Sequence, residues 1–173
     1  MDADELDDAS RLCLACGLCC DGAVFSWAVL ADGDDRAALE AAGAEVRDTA
    51  DGPALTIPCG ALRGTCCSIY DRRPDVCRGF RCRLLRRLDA GRIDLSHALR
   101  VVARTKGVCA EVESGVGPEL AGAWSRGAAD FLRSLDSADE PESARTASAP
   151  VLLAIAEMRT LLQREFVARR ERP

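Results

Sequence analysis

Cys13-Leu14-Ala15-Cys16-Gly17-Leu18-Cys19-Cys20 gathers four of the chain's ten cysteines into one short stretch. Three of them follow at C-x2-C spacing, which lets one tight loop point several sulfurs at a single centre. Bacterial ferredoxins use a similar triple spacing with a remote fourth ligand, and zinc sites use C-x2-C knuckles for the same geometric reason. Gly17 gives the backbone freedom where amide groups must turn toward sulfur. The adjacent pair Cys19-Cys20 is harder to fit to one tetrahedral site, because neighbouring side chains diverge. It implies either two metal sites, or one ligand and one spare thiol.

The remaining cysteines are Cys59, Cys66, Cys67, Cys77 and Cys82, with Cys109 standing alone. The block Cys67-Ser68-Ile69-Tyr70-Asp71-Arg72-Arg73-Pro74-Asp75-Val76-Cys77-Arg78-Gly79-Phe80-Arg81-Cys82 and the opening motif occur in that order. Together they resemble the CxxCxxCC family of zinc- or iron-chelating proteins, the YkgJ-type cysteine-cluster proteins, over about residues 13–105. Cys59 falls where that family has a preceding cysteine. The resemblance implies metal chelation by Cys13, Cys16, Cys19, Cys20, Cys59, Cys67, Cys77 and Cys82. Cys66 and Cys109 lie outside its eight-cysteine pattern, and Cys66 is an alternative to Cys67. Relatives in this family include flagellin lysine methylases, which set such a cluster in a larger methyl-transferring protein.

Arginines crowd the second block for a physical reason. Four thiolates on a divalent ion carry a net charge of about -2, and so does an oxidised 4Fe-4S centre with four thiolates; burying it requires hydrogen bonds or cations nearby. Arg73, Arg78 and Arg81 lie close to the ligands in sequence and are the candidate cofactor-binding residues. Pro74 fixes the local turn. Tyr70 and Phe80 are placed to shield the site or to serve as ordinary core.

Composition bounds the rest. Charged residues are 29% and hydrophobic residues 48%, a globular balance. The N-terminal Met1-Asp2-Ala3-Asp4-Glu5 is acidic, unlike a signal peptide, and no apolar run reaches membrane-span length. The expected location is therefore the cytoplasm, where clustered thiols bind metal rather than form disulfides. The net charge is -5, which argues against nucleic acid as a partner. Charge is uneven: residues 1–51 hold 13 acidic and 3 basic side chains, net -10, and residues 72–106 hold 11 basic and 3 acidic, net +8. The two segments are expected to attract each other within one fold.

The expected fold class is α+β, a small loop-rich cysteine core with short strands, followed by helices. Residues 24–29 and 54–57 read as strands, 32–35 as a turn and 36–46 as a short helix. Leu84, Leu85 and Leu88 share a helical face that Gly91 closes. Asp94 or Ser96 caps a helix through Val102, and residues 120–135 read as another. His97, the only histidine, sits on such a helix and is read as structural. Residues 1–135 form the cysteine-cluster domain, 136–150 a flexible linker, and 151–173 a C-terminal amphipathic helix. That helix would dock on the domain, on a protein partner or on a second copy.

Three functions follow in order of preference. The first is a non-catalytic module binding an iron–sulfur cluster, with 4Fe-4S favoured, or zinc. The second is an iron–sulfur redox or protein-modifying enzyme component, and the third is a metal carrier. The cysteine-only ligand set and the triple x2 loop favour the cluster; Asp21, where cluster loops often carry proline, argues the other way.

Overall fold

Asp7 starts the chain's first helix. Its carboxylate accepts the Ser10 amide at 2.7 Å, and Gly17 ends the helix in the left-handed region at φ 73°. The computed structural model describes residues 6–117, 124–136 and 148–167. In it the first cysteine motif is not a single tight loop. Cys13 and Cys16 ride on the last turn of α1 (Asp8–Cys16), where three-residue spacing places them on one face. Cys19 and Cys20 lie in the turn beyond Gly17, whose carbonyl accepts the amides of Cys20 and Asp21.

A small antiparallel sheet follows, with β1 (Trp27–Val29), β2 (Val46–Thr49) and β3 (Gly52–Thr56) in the order β1-β3-β2. Ala28 and Val46 face Leu55 or its neighbour across the ladder, giving Ala28↔Leu55 and Val46↔Leu55. Between β1 and β2 stands α2 (Arg36–Ala41), capped by Asp35. The helix read over 36–46 is shorter, because Gly43 adopts φ 89° and Val46 joins the sheet. Leu30, Leu39, Ala44, Val46, Leu55 and Ala61 form the core of this part.

A two-stranded ribbon, β4 (Leu62–Arg63) with β5 (Cys66–Cys67), leads to the short α3 (Asp75–Gly79). Helices then take over: α4 (Arg83–Asp89), α5 (Leu95–Gly115), α6 (Ala128–Leu135) and α7 (Ala149–Leu161), the last running into a π turn over Leu162–Phe166. Asp94 caps α5 by accepting the His97 amide at 2.6 Å, and His97 itself is exposed. Ala98, Val102, Thr105, Val108 and Val112 make one buried stripe along α5. Thr105 remains satisfied there by donating to the Val101 carbonyl at 2.8 Å. Against this stripe α7 packs Ile155 and Met158, with Leu162 and Phe166 beyond. The C-terminal helix therefore docks on its own chain, while Leu152 and Leu153 stay exposed. Most of the segment read as a linker, residues 137–147, lies outside the described residues, as do 118–123.

Two glycine contacts lock the loops to their neighbours. A Cβ on Gly127 would lie 2.6 Å from the Gly22 Cα, and one on Gly60 would lie 1.8 Å from the Gly43 oxygen. The first contact holds the turn after Cys20 against the start of α6, where the Gly22 carbonyl accepts the Ala129 amide at 2.9 Å. The fold is α+β, with a helical core on one side, a small sheet on the other, and most of the cysteines between them.

Candidate metal centre

Eight of the cysteines reach the seam, each by a local device. Cys13 and Cys16 come from α1. The left-handed Gly17 reverses the chain and presents Cys19 and Cys20 beyond it. Cys59 follows Pro58, and its amide donates to the Cys20 carbonyl at 2.8 Å, joining the two motifs through the backbone. Cys67 sits on β5 opposite Leu62, whose own amide donates to the Cys59 carbonyl at 3.0 Å. Cys77 projects from α3. Cys82 caps α4, its sulfur accepting the Leu85 amide at 3.3 Å. All ten cysteines are free thiols.

Two adjoining cavities run along this seam. The first, about 90 Å³, is lined by Cys13, Cys16, Cys19, Cys20, Cys67, Cys77 and Cys82, and by Phe166 from the end of the helical part. The second, about 290 Å³, is lined by Cys19, Cys20, Cys59, Cys67 and Cys77, with Phe25, Trp27 and Phe80 among its apolar walls. Phe25 and Phe80 meet edge to face at 4.7 Å. Cys13, Cys16 and Cys82 pack on the helical core, whereas Cys59 and Cys77 pack on the core of the sheet.

Burial governs the electrostatics. It pushes the Cys16 thiol up to about 12, with further repulsion from Cys82 and Cys13, and lifts Cys19 well above the usual value with Cys82 and Cys16 adding. Cys20 is likewise pushed up to about 12, and its thiol neighbours are Cys77, Cys59 and Cys67. Burial raises Cys77 to about 11, with Cys59 and Cys67 adding. Cys13, Cys59 and Cys82 are raised for the same first reason. Metal-free thiols so placed stay protonated at neutral pH, and ionising them together requires a cation. As they stand, no three Cys, His, Asp or Glu side chains among the described residues are drawn together closely enough to hold a metal ion. The sulfurs are instead spread around the two cavities. A buried set made only of thiols suits soft or borderline metals, so the residues present fit either zinc or an iron–sulfur cluster.

The arginines divide. Arg73 lines both cavities and lowers the pKa of Cys13 and Cys77 alike. Its guanidinium lies 3.5 Å from the Tyr70 ring centroid, and its Nε donates to the Tyr70 carbonyl at 2.8 Å. Arg81 acts on Cys13. Arg78 is exposed and paired with Asp75 at 2.5 Å, on the outside of α3. Cys66 is exposed on the ribbon. Cys109 lies elsewhere, in a cavity of about 370 Å³ shared with Asp21, Lys106, Glu113 and Trp124. Sequence reasoning passed over Lys106, whose Nζ donates to the Cys16 carbonyl at 3.1 Å. Its being the only lysine among the chain's 23 basic residues was the available signal.

No described helix is long and apolar enough to cross a membrane. No curated protein and no solved structure matches the chain. Residues 12–101 match the family CxxCxxCC, described as "Putative zinc- or iron-chelating domain". That span holds nine of the ten cysteines and more than half of the chain, and the chain belongs to this CxxCxxCC family of metal-chelating cysteine-cluster domains.

Proposed function

We propose that the protein is a non-catalytic module that holds an iron–sulfur centre through its two cysteine motifs. One observation carries this reading: eight thiols from sequence-distant motifs line two adjoining cavities at the seam between the two cores. Iron–sulfur chemistry is favoured over zinc because the ligand set is all cysteine and three of its members follow at x2 spacing. A multi-iron core takes ligands spaced around a volume, whereas a single zinc ion draws four ligands to about 2.3 Å. Arg73, stacked on Tyr70, supplies positive charge to both cavities. A redox or protein-modifying role is the second reading. It rests on the larger cavity being walled by apolar side chains next to Trp27, which is 43% exposed and marks where a reaction partner would approach.

Protein prepared without oxygen tests the reading. It should be brown, absorb broadly near ~400 nm from sulfur-to-iron charge transfer, and contain iron and sulfide. Colourless protein with zinc would replace iron by zinc and keep the metal-binding function. Metal-free protein with the same fold and thermal stability would overturn both.

A further inference from the structure

Resting on the metal-binding reading above, we propose that the eight sulfurs form two separate four-thiolate sites: Cys13, Cys16, Cys19 and Cys82 in one, and Cys20, Cys59, Cys67 and Cys77 in the other. Three observations carry the partition.

The first is packing. Cys13, Cys16 and Cys82 lie against the helical core, and Cys59 and Cys77 against the core of the sheet. Second, the cavities separate the same residues. Cys13, Cys16 and Cys82 line only the smaller cavity and Cys59 only the larger, while Cys19, Cys20, Cys67 and Cys77 line both and are assigned by the packing and the backbone. Third, the backbone ties each set together. Helix α1 packs on α4, which begins at Cys82. On the other side Cys59 bonds to the Cys20 carbonyl, and Leu62, paired with Cys67, bonds to the Cys59 carbonyl.

The chemistry agrees. Neighbouring residues point their side chains apart, so Cys19 and Cys20 suit two centres better than one. Two-cluster ferredoxins show the same logic, with three cysteines at x2 spacing joined by a remote fourth and the next cysteine of the run passed to the other centre. Here Cys82 is the remote fourth and Cys20 the residue passed on. Splitting eight thiolates between two centres leaves about -2 at each, while one divalent ion among all eight would leave about -6 in a buried space. Arg73 touches both cavities and offsets the charge of the two centres from between them.

The test is metal per chain in the full-length protein prepared without oxygen. Cys82→Ser and Cys59→Ser should each retain half of the wild-type metal. The pair Cys13→Ser with Cys82→Ser should also retain half, because both ligands belong to one site. Cys59→Ser with Cys82→Ser should retain none. Complete loss in either single variant, with wild-type content intact, would overturn the partition while leaving metal binding standing. Should the variants fail to fold, cobalt(II) titrated into metal-free wild-type protein decides: saturation at two equivalents supports two sites, and saturation at one overturns them. Wild-type protein that takes up neither its own metal nor cobalt would sink the metal-binding reading itself, and the partition with it.

Discussion

Gly60→Ala is a one-carbon change next to Cys59, and its cost can be worked from the structure. A Cβ there would lie 1.8 Å from the Gly43 oxygen and 2.8 Å from its carbonyl carbon. Restoring an ordinary 3.4 Å contact means parting the two turns by about 1.6 Å, the difference between 3.4 and 1.8 Å. Overpacking costs ~1–3 kcal/mol when side chains can yield. Both partners here are backbone, so the upper end, about 3 kcal/mol, applies. With a urea slope of about 2 kcal/mol/M, the unfolding midpoint should fall by about 1.5 M. The displacement also carries Cys59 away from its 2.8 Å bond to the Cys20 carbonyl, so bound metal should fall in the same samples. Gly79→Ala is the control: its Cβ meets nothing within 4 Å, and removing a glycine from α3 should be neutral or stabilise by up to about 1 kcal/mol. A Gly60→Ala protein with an unchanged urea midpoint and full metal content would refute the packing argument.

Two further outcomes follow from burial. Thiol pKa values raised above 9.0, to about 12 at Cys16 and Cys20, favour the folded metal-free protein while the thiols are protonated. That stability is complete below about pH 9 and is lost as pH rises toward about 12, so the metal-free melting temperature should drop as pH rises above about 9; no drop would contradict it. Phe166→Ala should cost ~3–5 kcal/mol as a large-to-small change at a fully buried position. It should also loosen metal retention, because the ring walls the smaller cavity; a change under about 1 kcal/mol in urea unfolding would show that the π turn is not part of the core.

Local chemistry made some elements legible. Asp94 and the apolar spacing beyond it announce α5, and Leu84 with Leu85 announces α4, because caps and stripes act over a few residues. The sequence-based helix stopped near Val102, whereas α5 runs to Gly115, its later turns held by packing against α7. Strand β2 was hidden because Val46-Arg47-Asp48-Thr49 is polar on one side and gains its structure from pairing with β3. The helical setting of Cys13 and Cys16 was missed because the cysteine spacing suits a loop equally well. Spacing named the cysteines; which of them lie near one another depends on contacts between residues far apart in sequence, such as Cys13 with Cys82.

Phe166 gives the first cavity a dependence on time. All eight cysteines of the two motifs have left the ribosome's active centre once Cys82 is made, but Phe166 lies 84 positions further on. At ~5–20 residues per second, about 4–17 s of synthesis separate the two. For that interval the growing chain carries all eight cysteines while the aromatic wall of the smaller cavity is still missing. Insertion of a metal during translation would precede the packing of that ring, whereas insertion afterwards would meet the wall already in place. Loading of the folded protein should therefore be slower than loading of a nascent chain, with the π turn over Leu162–Phe166 setting the difference.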